Sequence, residues 1–132
     1  MLRSILAVLA GIVSAAIVVS LVEAGVSALY PPPAGLNMGD PAALEAYIQQ
    51  APFGAMALVV AGWFAGAVVG VGLACRIAKG SMRVAAVVSV LQMAAVVSNF
   101  FELSHPLWMI VSGSVLSVAG CALGAWLGRP SP

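Results

Sequence analysis

Four long apolar runs, each separated from the next by a polar or proline-bearing break, organise this chain. They cover residues 4–29, 53–77, 82–101 and 107–127. Each approaches or exceeds the roughly 20 mainly apolar residues that a helix needs to cross a bilayer. The first run stops at Tyr30 and Pro31-Pro32-Pro33, where a helix cannot continue. The fourth is entered through Pro106, whose missing N–H costs nothing in the first turn.

Only the first break, residues 30–52, is long. Within it, Asp40-Pro41 and the nine residues that follow predict a short helix, with Asp40 as N-cap and Pro41 as first helical residue. Leu44, Tyr47 and Ile48 share one face, while Glu45 and Gln49 lie on another. Such a helix is expected to lie flat, on the membrane interface or across the ends of the bundle.

Composition points the same way. Charged residues make up 7% of the chain and hydrophobic ones 63%, whereas a soluble domain averages roughly 25% charged. So little charge cannot cover a water-facing surface, and the surplus apolar surface calls for lipid. The expected fold is all-α: a single four-transmembrane-helix bundle over residues 1–132. Arg3 and the apolar stretch after it resemble a signal peptide, but the run continues through Ile17, Val18, Val19, Leu21 and Val22. That exceeds the roughly 7–15 residues of a cleaved h-region, so an uncleaved first span is expected.

Charge fixes the expected orientation. Arg3, Arg76, Lys79, Arg83 and Arg129 are the only Lys or Arg, and they fall at the two termini and in the second break. Asp40, Glu45 and Glu102 fall in or beside the other two breaks. Cytoplasmic loops carry the excess of Lys and Arg, so both termini and the second break are expected in the cytoplasm. The five-to-zero bias argues against insertion in both orientations. Trp63, Trp108, Tyr30 and Tyr47 are expected at the outer interface, and Trp126 at the inner one. A net charge of +1 with no basic cluster argues against a nucleic-acid partner. Cys75 and Cys121 lie far apart with no C-x-x-C, and are read as small packing residues.

Lipid tails are as apolar as Leu, so spans associate through small residues that allow close backbone contact. Gly62, Gly66 and Gly70, followed by Ala74, recur every four residues in the second run. Gly120, Gly124 and Gly128 repeat the device in the fourth, and Ala7, Gly11 and Ala15 in the first. These stripes predict tight packing inside the bundle or in a homo-oligomer.

Polar residues within spans face protein or water rather than lipid. Glu23 lies about two turns below the end of the first run, on a face shared with Ser20, Ser27 and Tyr30. Gln92, Asn99 and Glu102 form a stripe on the third run, and His105 follows Glu102 by three residues. Glu23, Asn99, Glu102 and His105 are therefore expected at similar depth near the outer face. Three readings compete: a structural network in which Glu23, protonated or hydrogen-bonded to Asn99, ties helices together; a proton- or ion-coupled path through Glu23; and a metal site built on Glu102-x-x-His105. One His and two or three carboxylates make a thin ligand set, so no metal or cofactor is expected. No G-x-S-x-G or H-E-x-x-H motif is present, and the glycine-rich second run lacks the Gly-Lys-Ser/Thr ending of a phosphate loop.

Glu23 followed by Tyr30-Pro31-Pro32-Pro33-Ala34-Gly35, the glycine-rich run from Gly62-Trp63, and His105-Pro106-Leu107-Trp108 together resemble a family of small four-helix bacterial integral membrane proteins of uncharacterised function. The resemblance implies fold and location and carries no activity. Small multidrug transporters also place a Glu in a first span, but mid-membrane. Four-helix fluoride channels are of similar size, but their Asn- and Gly-based signatures are missing here. The expected function is that of a non-enzymatic structural or accessory membrane component, with the lipid bilayer and a homo-oligomer or larger membrane complex as partners. The alternative is a small transporter or channel using Glu23.

Overall fold

The computed structural model describes residues 1–131. It is all-α, with five helices in the order α1 (Leu2–Leu29), α2 (Pro41–Gln50), α3 (Phe53–Ile77), α4 (Met82–Glu102) and α5 (Leu107–Leu127). All but α2 are long and apolar enough to cross a membrane. Relative to the apolar runs, α1 begins two residues earlier and α4 ends one residue later.

The breaks behave as their residues require. Asp40 caps α2: its Oδ1 accepts from the Ala42 N–H at 3.0 Å, and Pro41 occupies the first helical position. Between α3 and α4 the chain reverses through Lys79 and Gly80, at φ 54° and 82°. The Gly80 N–H donates to the Cys75 carbonyl at 2.8 Å, which satisfies one of the carbonyls left open at the end of α3.

The centre of the bundle is α3. It packs along α1 on one face and along α5 on another, while α4 touches α1, α3 and α5 more lightly. Glycine makes the two main seams possible. A Cβ on Gly70 would stand 2.7 Å from the Gly11 carbonyl oxygen, and one on Gly62 would stand 2.9 Å from Val22. A Cβ on Gly124 would stand 2.6 Å from the Val68 carbonyl oxygen, and one on Gly120 2.7 Å from that of Phe64. The Gly62, Gly66, Gly70 stripe therefore meets α1, and the Gly120, Gly124 stripe meets α3. Both lie inside the bundle. Backbones this close gain dispersion contacts that longer side chains would forbid.

Two buried clusters fill the interior. One, at the end carrying the basic residues, gathers Ala67, Val71, Ala74 and Cys75 of α3 with Ala7, Val84, Ala85, Val88, Cys121 and Ala125. At this end Arg3 Nε donates to the Ile77 carbonyl at 2.6 Å, and an Arg76 guanidinium N–H donates to the Leu127 carbonyl at 3.3 Å. Each bond places a cation on a helix C-terminus, where the dipole favours it. The other cluster, at the α2 end, joins Val26, Ile48, Val60, Trp63, Val96 and Met109. Ile48 of α2 is buried in it, with Leu44 packed alongside, and Gln49 Nε2 donates to the Ser104 carbonyl at 3.0 Å. The short helix is thus tied to this end of the bundle through Ile48, Leu44 and Gln49. Trp63, expected in an interfacial belt, is instead a core residue at 6% exposure. It sits on the central helix and points inwards, edge-on to Phe100 at 5.6 Å.

Candidate functional site

Where α1 and α4 run beside each other, a cleft of about 310 Å³ opens. Its origin lies in side-chain size. Nearer the basic end the two helices close up at Gly11, whose place for a Cβ is 3.4 Å from Val88. Further along, Ala15, Ala16 and Ser20 of α1 and Ala95 of α4 line the gap and are too short to fill it. Ile12, Val19, Leu91 and Val96 form apolar walls, and Trp63 of α3 lies at the floor. Ile12, Ala16, Ser20, Leu91 and Ala95 are exposed, so the cleft opens sideways from the bundle.

Glu23 and Asn99 both line this cleft, together with Ser20 and Gln92. Each sits on its own helix, seven residues beyond Ala16 and Gln92 respectively, so the pair occupies one end, and the other end is apolar apart from Gln92. Glu23 is exposed into it. Asn99 Oδ1 is buried and has no hydrogen-bond partner among the described residues, so it accepts nothing from Glu23. An unpartnered buried amide oxygen costs free energy comparable to a lost hydrogen bond.

The other two candidates lie elsewhere. Glu102, the last residue of α4, is exposed, and its Oε1 accepts from Ser98 Oγ at 3.3 Å. His105 falls past the helix end, because Leu103 is already extended at φ −136° and ψ 134°. Pro106 disfavours helical geometry at the residue before it, so Glu102 and His105 do not share a helical face. His105 packs edge-on to Phe100 at 5.5 Å and to Trp63 at 6.2 Å. Its Nδ1 lies 2.7 Å from the Leu103 carbonyl oxygen. A carbonyl only accepts, so Nδ1 carries the proton. Among the described residues, no three His, Cys, Asp or Glu side chains come together as a metal site would require.

Ser112 and Ser117 on α5 also have buried hydroxyls without partners. Sequence alone gave them no distinction from other small residues in spans. Ser14 and Ser89 take the more usual course and donate to backbone carbonyls of their own helices at 2.9 and 2.8 Å.

No family model, no curated protein and no solved structure matches this chain. The site's chemistry is therefore read from its own residues. It offers the Glu23 carboxyl, with Ser20, Gln92, Asn99 and a tryptophan, around a cavity at the side of an apolar bundle. It holds no nucleophile paired with a base.

Proposed function

We propose that this is a non-enzymatic multi-pass protein of a bacterial inner membrane, an accessory component that works through the α1–α4 cleft. Both termini and the Lys79-Gly80 turn face the cytoplasm in this reading, supported by the excess of Lys and Arg at that end. The opposite end, with α2 at the outer interface, faces away. The observation that carries the proposal is the cleft itself: Glu23 and Asn99, both within apolar helices long enough to span a membrane, line a cavity open to the side. Intramembrane ionisable groups mark function by default, because their burial in hydrocarbon is costly.

The test is purification of the full chain in mild detergent, comparing wild type with Glu23→Gln and Ala95→Leu. The expected result is that all three fold alike, while both variants lose lipids or proteins that co-purify with the wild type. Identical co-purification profiles would overturn the reading. The runner-up is a proton- or ion-coupled transporter, favoured by the position of Glu23 at the cleft rather than in a hydrogen-bonded pair. Proton uptake into proteoliposomes that disappears in Glu23→Gln would establish the transporter in place of the accessory role.

A further inference from the structure

We propose that the α1–α4 cleft binds an amphiphile carrying a protonated primary amine, with the ammonium at Glu23 and the apolar tail lying towards Ile12 and Leu91. This rests on the reading of the cleft as the working site and names the chemistry of its occupant.

Depth gives the first support. The 28 residues of α1 make a helix about 42 Å long, against a hydrocarbon core of about 30 Å. Shared equally, the excess leaves about 6 Å beyond each side of the core. Glu23 is six residues below Leu29, about 9 Å along the axis. The carboxyl therefore sits just inside the boundary between headgroups and hydrocarbon. Ile12 lies eleven residues below Glu23, about 16 Å deeper. The cleft thus has Glu23 and Asn99 near headgroup level and walls that, apart from Ser20 and Gln92, are apolar and lead towards the bilayer centre.

Charge and hydrogen bonding give the second. The polar end presents the Glu23 carboxyl, with Asn99 beside it in the lining and its Oδ1 buried, and a primary ammonium brings three donors and one positive charge. An anion would meet Glu23 with the wrong sign. A neutral alkyl chain would leave the Glu23 carboxyl unpaired. A quaternary ammonium has the charge but no N–H for the carboxylate oxygens. The cavity, about 310 Å³, falls at the lower end of the range that holds small ligands.

Two sources supply this chemistry: the ethanolamine headgroup of a phospholipid, and a free long-chain amine. The experiment uses the full-length protein in detergent, with bound lipid counted by native mass spectrometry. The probes are phosphatidylethanolamine, phosphatidylcholine, dodecylamine and dodecyltrimethylammonium. Phosphatidylethanolamine is expected to bind about tenfold or more tightly than phosphatidylcholine, or dodecylamine than its trimethyl analogue, as charge-assisted hydrogen bonds require. Preference within the phospholipid pair alone assigns the lipid; preference within the free-amine pair assigns a soluble amphiphile. Glu23→Gln is expected to erase the preference. Ala95→Leu, which fills the cleft without touching its polar end, is expected to abolish binding of both. Equal binding of primary and quaternary forms, or a preference unchanged by both substitutions, would overturn the proposal. If the amine preference is absent yet Ala95→Leu still strips another co-purifying molecule, the occupant is wrong and the site reading stands. If Ala95→Leu strips nothing, the site reading falls too.

Discussion

The seams that α3 makes with α1 and α5 differ in kind from the seam between α1 and α4. At the first two, backbone meets backbone across glycines, and a single Cβ would stand 2.6–2.9 Å from the opposite helix. At the third, α1 and α4 approach at Gly11 and Val88, and short side chains further along leave a cavity. Glu23, Ser20, Gln92 and Asn99 all line the loose seam. The tight seams hold the bundle together, and the loose one is free to serve something else.

That contrast is open to attack by substitution. The largest effect is expected for Gly70→Val, which forces a side chain against the Gly11 carbonyl oxygen. Overpacking against backbone, which cannot rotate away, should cost about 3 kcal/mol, read as a lowered unfolding midpoint in detergent by circular dichroism. Val88→Ala comes next. Val88 is 1% exposed at the point where α1 and α4 close up, and its truncation should cost about 2 kcal/mol in the same assay. A third substitution has the opposite sign. Gly25 of α1 has nothing within 4 Å of its Cβ position. Gly25→Ala should therefore stabilise by about 0.7 kcal/mol, since alanine loses less backbone freedom in a helix. The smallest effects belong to the cleft: Ala95→Leu and Glu23→Gln should each shift stability by less than about 0.5 kcal/mol. A cleft substitution as costly as Gly70→Val would erase the distinction between the seams.

Much of this architecture can be read from particular residues. Pro31, Pro52 and Pro106 mark helix limits, and Asp40-Pro41 marks the start of α2. Four-residue glycine spacing indicates close packing, but whether within one chain or between copies depends on which helix lies opposite, and no local signal carries that. The site divides likewise. Glu23 and Asn99 stand out as polar residues within apolar runs, yet their sharing of a cleft depends on α1 and α4 lying side by side. Glu102 and His105 part company because α4 stops at Glu102. Pro106 carried that signal, since it biases its neighbour away from helix. Trp63 looked interfacial from its residue type, although it lies ten residues into its run. Its burial follows from α3 being the helix that the others surround.

The most direct test of the central claim, that the α1–α4 seam opens to the bilayer while the α3 seams are closed, is spin-label accessibility in phosphatidylcholine bilayers. Single labels would be placed at Ala16 and Ala95 in the cleft, with Val90, 68% exposed on α4, as the lipid-facing reference. Collision rates with dissolved oxygen at Ala16 and Ala95 are expected to approach that at Val90. Rates at both cleft positions far below the Val90 reference would show that another helix fills the seam, and would contradict the account.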